Sequence, residues 1–347
     1  MSFYDTKQSD PGLVLKRIEN VIIHFLHNLY SKKKKKICLK VSNDVSEVQL
    51  DFTTRKYSKL AFNLCTLAQV YKLLSFNSES TKRDLYYDQK LLYGTQTLLD
   101  RSLTSICELL AVTRNQLNVI SSSKGLVAGP IAFMDLNGRL IDCRANATLI
   151  SESLIGLRIL STARFIVVVE KDATFQKLID EKFFEVLPDA LLVTGKGYPD
   201  ICTRNFLKWV VATCNLDIFG LFDADPHGIE IMLTYKYGSI SDKMEGKGAF
   251  IPTIKWIGMK PTDCLRFQIA ENQYLPLSHR DYKKLVRLRR RSVILKEYDL
   301  VQEVDFLREI KKKLEIEAVS SMGPRFLVKK LIETRVILDE RKRSWPH

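Results

Sequence analysis

The chain has 347 residues, 46% hydrophobic and 27% charged, a composition that excludes a disordered or fibrous protein and leaves room for two domains. Its net charge of +14 points to a polyanionic partner, because neutralising phosphates releases condensed counterions. No apolar run approaches the ~20 residues that span a bilayer, no signal peptide opens the chain, and seven scattered cysteines without a C-x-x-C pair argue against a disulfide framework or zinc ribbon.

An intracellular protein is therefore expected, with nucleic acid as the commonest partner for such a charge and no membrane association. Asp10 to Tyr30 reads as a helix whose Leu13, Leu15, Ile18, Val21, Ile22, Phe25, Leu26 and Leu29 form a broad apolar face. Within it His24 and His27 have metal-ligand spacing, but their apolar surroundings make them core or interface residues. The lysine run from Lys32 to Lys36 complements a helix carboxyl terminus and reads as a solvated charge run. Lys40 to Phe52 has extended character, and Arg55 to Leu74 is helical.

Thr81-Lys82-Arg83-Asp84 carries the capping-box pattern of a helix start. Leu91 to Leu110 and Arg114 to Ile120 suggest two further helices. Leu126 to Phe133, Asn137-Gly138 and Leu140 to Cys143 read as a β-hairpin. Helices followed by a hairpin describe a winged helix, a fold that places one helix in the DNA major groove.

From about Leu154 the pattern changes. Phe165–Val169, Ala190–Val193 and Ile218–Phe222 read as buried strands, separated by helices over Ala173 to Phe184 and Cys202 to Cys214. Such alternation predicts a parallel sheet with helices on its faces. A weaker strand follows at Phe250 to Ile257, then a basic surface helix or loop over Arg280 to Arg291 and a helical remainder. Periodicity alone puts the domain boundary near Ile150.

Two of the strands end in acid. Glu170 closes Phe165–Val169, and Asp223-Ala224-Asp225 follows Ile218–Phe222, with Pro226 and Gly228 leading into the next helix. Ligands of open α/β sheets gather outside the carboxyl ends of the strands, and hard carboxylate oxygens suit Mg²⁺. Taken singly, each acid would serve equally well as a helix cap or in a solvated turn. Thr194-Gly195-Lys196-Gly197 and Tyr198-Pro199-Asp200 fall on the same edge, where glycines let backbone approach a phosphate and Lys196 neutralises one, although two glycines around a lysine also make an ordinary turn.

A magnesium site on a basic protein fits nuclease, primase and topoisomerase chemistry. The segment Arg83-Asp84-Leu85-Tyr86-Tyr87 is the feature that would separate them, since on a helix Arg83 lies one turn from both tyrosines and could hold the phosphate that a tyrosine hydroxyl attacks, although a tyrosine pair beside an arginine more commonly serves packing and surface.

That segment, together with Ser123-Lys124-Gly125-Leu126-Val127-Ala128-Gly129, Val168-Val169-Glu170-Lys171-Asp172-Ala173, the Gly195-Lys196-Gly197 loop and Asp223-Ala224-Asp225-Pro226-His227-Gly228, resembles the meiotic double-strand-break transesterases, relatives of the type VI DNA topoisomerases through their A component. The order and spacing match, over roughly Ala61 to Leu277, and the wording of the last motif resembles the animal branch. The resemblance implies an α/β plus α+β architecture with a CAP-like winged-helix domain (51–150) carrying the tyrosine and a Toprim domain (151–347) with a mostly parallel sheet and a helical carboxyl-terminal part; it does not extend to the helical and basic segment before them (1–50), whose apolar helix face makes it the candidate dock for a partner. It implies Tyr87 as nucleophile beside Arg83, Mg²⁺ on Glu170, Asp223 and Asp225, and a 5′-phosphotyrosyl intermediate. His227 fits the family wording in a supporting role. Lys124, Lys196, Tyr198 and Arg204 are candidate DNA contacts, Tyr198 by stacking or wedging. Further implications are nuclear localisation, a homodimer cutting double-stranded DNA, a separate B-type subunit that binds ATP, and accessory meiotic proteins. A topoisomerase that reseals its cuts, a Toprim nuclease using water and an idle scaffold are the rival readings; the lack of zinc-binding cysteines disfavours a primase.

Overall fold

The structure, a computed structural model, describes residues 11–30, 57–120, 123–238, 250–267, 269–320, 325–328 and 332. The chain divides into two units, residues 1–122 with 241–247 and residues 123–240 with 248–347. Lys32–Lys36 and the expected extended segment from Lys40 to Phe52 lie outside the described residues.

The first unit is helical. Helix α1 (Pro11–Tyr30) buries Val14, Ile18 and Val21, one face at i, i+4 and i+7, in a core shared with α2 (Tyr57–Ser75). His24 and His27 lie on the exposed face, not in that core. After strand β1 (Ser80–Thr81) come α3 (Lys82–Asp88), α4 (Lys90–Tyr93) and α5 (Gln96–Leu110), the last contributing Leu99, Leu103, Ile106 and Leu110. The helix expected over Arg114 to Ile120 does not form. A single 3-10 turn at Asn115–Leu117 ends where Asn118 takes a φ of +56°, and β2 (Val119–Ile120) then runs out to pair in parallel with β1.

The second unit begins earlier than Ile150. Strand β3 (Leu126–Ala128) lies in its main sheet, with Val127 in the core on one face and Ala128 in the core on the other. Burial on both sides makes this short segment a sheet strand and not a wing. A hairpin is present, but it joins β4 (Ile131–Met134) to β5 (Leu140–Asp142) through Gly138, whose φ is +79°. After β6 (Thr148–Leu149), β7 (Arg158–Ser161) pairs with β4 to complete a three-stranded sheet within this unit. The tight turn is thus where it was expected, in a different domain.

Strand β8 (Phe165–Val169), helices α6 (Asp172–Asp180) and α7 (Phe183–Val186), β9 (Ala190–Thr194), α8 (Ile201–Cys214), β10 (Asp217–Leu221), α9 (Pro226–Tyr237) and β11 (Lys255–Gly258) follow. The six-stranded sheet has the order β11-β10-β8-β9-β3-β6, and its strands β11, β10, β8 and β9 are parallel. Every residue of β8 and β9 is buried, as Val-, Leu- and Ile-rich parallel strands require. Ile166 and Val168 face α8 and α9, while Phe165, Val167 and Val169 face the core that includes α6. The chain continues through α10 (Asp263–Arg266), β12 (Leu275–Pro276), α11 (His279–Ile294), α12 (Tyr298–Ile310), β13 (Lys312–Lys313) and α13 (Ile316–Ser320). Among the described residues no helix is long and apolar enough to cross a membrane.

Candidate functional site

Tyr87 stands on α3, a helix whose start is set by a capping box: Asp84 N–H donates to Thr81 Oγ1 at 3.2 Å and Thr81 N–H donates to Asp84 Oδ2 at 3.3 Å. Leu85 fixes the inner face of α3 in the helical core, which turns Tyr87 outward, 59% exposed. Arg83 is also exposed, one turn earlier, with no ion-pair partner among the described residues. Tyr86 is the inward member of the pair and donates its hydroxyl to the Gly94 carbonyl at 3.1 Å. Of the two, Tyr87 is the more open to solvent.

A residue that carries no motif ties this helix down. Gln69 Nε2 donates to the Leu85 carbonyl at 3.0 Å and to Asp88 Oδ2 at 2.9 Å, while Gln69 Oε1 accepts the Tyr93 hydroxyl at 3.1 Å. Tyr93 also meets Thr66 Oγ1 at 2.8 Å, and Thr66 meets Ser102 Oγ at 2.7 Å. A buried polar chain of this kind positions α3 on α2, α4 and α5 with a directionality that apolar packing lacks. Its only sequence signal is a run of polar residues on the inner side of a helix.

The parallel register of the second unit brings the acids together. Val169 pairs with both Thr194 and Leu221, so β8, β9 and β10 end at one level. Glu170 and Asp223 leave that edge 6% and 3% exposed, and Asp223 N–H donates to Glu170 Oε2 at 2.9 Å. Asp225 caps α9, accepting Gly228 N–H on Oδ1 at 2.6 Å with Pro226 at the first helical position. Burial, with the charges of Asp223 and Asp225, raises Glu170 to about 8. Burial also raises Asp223 to about 6, against the pull of Ile316 N–H and Lys171. Three hard oxygen donors that repel one another suit a divalent cation. As they stand, no three His, Cys, Asp or Glu side chains among the described residues close around an ion, and Lys171 Nζ rests on Asp223 Oδ2 at 2.9 Å.

Gly228 is what lets the acidic turn sit against α9. An added Cβ would run into the Asp223 carbonyl oxygen and come within 2.9 Å of the Asp223 nitrogen, backbone that cannot swing aside. Gly228→Ala is expected to destabilise the second unit by about 1–3 kcal/mol and to displace Asp223 and Asp225. Chemical denaturation and the amide resonances of 223–228 test this.

The four candidate DNA contacts fare differently. Lys196, with a φ of +50°, pairs with Asp172 at 3.0 Å at the sheet edge. Lys124 turns inward: its Nζ donates to the Lys196 carbonyl at 3.1 Å, and burial lowers its pKa. It buttresses the loop that carries Lys196. Tyr198 is 39% exposed, but its hydroxyl is held by Glu230, by His227 Nδ1 at 3.2 Å and by Lys284 Nζ at 2.9 Å. Arg204 does not reach the surface. It is 3% exposed, because α8 is buried around most of its circumference: Arg204 shares one side with Leu207, while Cys202 and Phe206 are buried on another. His227 is exposed and bonded to Lys284 Nζ at 3.1 Å, so it braces the Tyr198 loop to α11.

Comparison with known proteins accounts for both units. Residues 165–336 match the Toprim-domain family of Spo11 and the topoisomerase 6 A-subunit, and residues 58–119 match the family described as Type IIB DNA topoisomerase. Over 342 residues the chain is 43% identical to the meiotic recombination protein spo-11 of Caenorhabditis elegans, covering 98% of this chain and 80% of that protein. The chain belongs to the Spo11 and topoisomerase VI A-subunit family. Within that family it is 38% identical over 272 residues to the meiotic recombination protein SPO11 of Homo sapiens, across 78% of this chain and 69% of the human one. It is 33% identical over 306 residues to the DNA topoisomerase 6 A-subunit of Arabidopsis thaliana, across 87% of this chain and 70% of the plant protein. The parallel sheet and its acidic edge are therefore a Toprim domain, and Tyr87 falls inside the type IIB topoisomerase match.

Proposed function

We propose that this Spo11-family chain makes double-strand breaks in meiotic DNA by transesterification. Tyr87 Oη loses its proton and attacks a phosphodiester in line; the P–Oη bond forms, the P–O3′ bond breaks, and the departing 3′-oxygen takes up a proton, so the products are a 5′-phosphotyrosyl linkage and a 3′-hydroxyl. The observation that carries this reading is an outward tyrosine on a capped helix beside an exposed arginine, in a chain that also presents three carboxylates at one sheet edge. Arg83 neutralises the phosphate that Tyr87 approaches. Glu170, Asp223 and Asp225 would hold Mg²⁺, which when bound supplies charge to the scissile phosphate and the leaving oxygen. The first unit is the family's winged-helix DNA-binding module; the type IIB match over 58–119 supports this, with the wing lying elsewhere than the 131–142 hairpin. The active form is a nuclear homodimer on duplex DNA, with accessory meiotic proteins. Lys196 and Tyr198 remain the candidate contacts at the sheet edge; Lys124 acts by supporting their loop.

The test is to incubate the chain and its partner complex with Mg²⁺ and duplex DNA and map any protein-linked end by mass spectrometry. A peptide containing Tyr87 joined to a 5′-phosphate is expected. A free 5′-phosphate with no adduct would mean water is the nucleophile.

A B-type ATPase partner docks, in this reading, on the outer face of α1, where Ile23 is 53%, Leu26 55% and Tyr30 91% exposed. Deleting the helix would also strip Val14, Ile18 and Val21 from the core. Ile23→Glu with Leu26→Glu is the cleaner change, and it is expected to abolish co-purification with a B-type partner while circular dichroism stays unchanged. Retained binding removes the assignment.

A further inference from the structure

Lys171 follows the Toprim glutamate in sequence, and three carboxylates share its ammonium. Nζ lies 2.9 Å from Asp223 Oδ2, 3.0 Å from Glu315 Oε2 and 3.0 Å from Glu317 Oε2. These partners are not equivalent. The Asp223 side chain is 4% exposed, whereas Glu315 and Glu317 are 48% and 42% exposed. A carboxylate taken out of water needs a cation against it; two solvated ones do not.

The glutamates are also tied to the acidic turn. Ala224 N–H donates to the Leu314 carbonyl at 2.9 Å, Leu314 N–H donates back at 3.1 Å, and Ile316 N–H donates to Asp223 Oδ1 at 3.0 Å. Residues 314–317 thus form an antiparallel clamp on residues 223–224, with Glu315 and Glu317 placed on either side of the residue that holds Asp223. A lysine with its ordinary pKa of about 10.4 is an ammonium at neutral pH, so Lys171 places a positive charge beside the oxygens a metal would take.

Building on the assignment of a divalent cation to Glu170, Asp223 and Asp225, we propose that Lys171 is the resident counter-ion of that site. It is a positioning residue: it holds Asp223 in place while the cation is absent, gives up Asp223 Oδ2 when the cation arrives, and stays seated on Glu315 and Glu317. No covalent bond changes. Two cations on one buried carboxylate repel, so the lysine weakens metal binding, and the two glutamates limit that penalty by providing the alternative seat.

The experiment measures Mn²⁺ binding to the full-length chain without DNA, with free Mn²⁺ read by electron paramagnetic resonance. Lys171→Gln is expected to bind Mn²⁺ at least about threefold more tightly, the shift that removing one ordinary ion-pair competitor produces. Lys171→Arg, which keeps the charge, should bind like the unmodified chain. Glu315→Gln with Glu317→Gln should bind more weakly, because the lysine then stays on Asp223. Damage to the fold lowers affinity, so a gain in Lys171→Gln separates competition from damage, and the half-exposed glutamate pair gives a second readout in which glutamine keeps an oxygen for the Thr174 hydroxyl. If Asp223→Asn abolishes Mn²⁺ binding but Lys171→Gln leaves it unchanged or weaker, the counter-ion role is overturned and the metal assignment stands. If no Mn²⁺ binding sensitive to Asp223→Asn is found, the metal assignment falls and the counter-ion role falls with it.

Discussion

Tyr87→Phe is expected to eliminate the covalent protein–DNA adduct while leaving the fold untouched. The hydroxyl is the only atom group removed, and it belongs to a side chain that is 59% exposed. Stability should therefore change by less than about 0.5 kcal/mol. Cleavage should fall by on the order of 10⁴-fold or more, the loss seen when a nucleophile is deleted from an otherwise intact site. Tyr86→Phe gives the contrasting pattern. That residue loses its bond to the Gly94 carbonyl, costing about 0.5–1.5 kcal/mol, yet keeps the adduct. The measurement is recovery of DNA ends bound to immunoprecipitated protein, in cells and in the purified complex. Adduct formation that survives Tyr87→Phe but not Tyr86→Phe would exchange the roles of the pair.

Glu170→Gln is expected to make the metal-free protein less sensitive to pH and indifferent to Mg²⁺. The sign follows from the direction of the shift. Burial and neighbouring charge raise Glu170 to about 8, so the folded state holds this proton more tightly than the unfolded chain. The associated stability is fully present below the ordinary carboxylate pKa of about 4.3 and is lost as pH rises through about 8. Asp223, raised to about 6, adds a loss of the same sign over a lower range. A divalent cation favours the ionised forms and releases those protons, so stabilisation by Mg²⁺ should grow from about pH 5 to about pH 8. A glutamine keeps the shape of the protonated acid without the ability to ionise. Thermal unfolding of Glu170→Gln should then lose much of its decline over this range, and added Mg²⁺ should no longer raise its midpoint. Cleavage should drop by at least about 100-fold, since a ligand contributes no less than the outer-shell partners of metal sites. A Glu170→Gln protein that still gains stability from Mg²⁺ at about pH 8 would place the cation elsewhere.

Both predictions depend on residues that local chemistry makes visible. A capping box announces α3, and the tyrosine pair lies a turn inside it, so one of the two had to face outward once Leu85 faced in. The acids were legible for a similar reason. Phe165–Val169 and Asp217–Leu221 are β-branched and aromatic runs that only a doubly covered sheet accommodates, and parallel strands of equal length put their carboxyl ends side by side. The family resemblance then gave these residues roles that periodicity could not.

Other features escaped because their cause is not local. Leu126–Ala128 has the alternation of a hairpin strand, and its true place is decided by β9 and β6 on either side, reached after intervals of chain that no window spans. Arg204 reads as a surface cation in sequence, yet it is buried, since α8 is covered on more than one side and leaves no outward face at that position. Lys171 lies 144 residues before Glu315, and the two meet only because the chain returns to pair Leu314 with Ala224.

The sequence by itself determined the central parallel strands, the capped start of α3 and which residues are candidates for the chemistry, because propensity, capping and side-chain chemistry act over a few neighbouring residues. The tertiary structure alone decided which unit owns the hairpin, which basic residues face water, and which cation holds Asp223. Burial and charge pairing are properties of the space around a group, and that space is filled by residues far away along the chain.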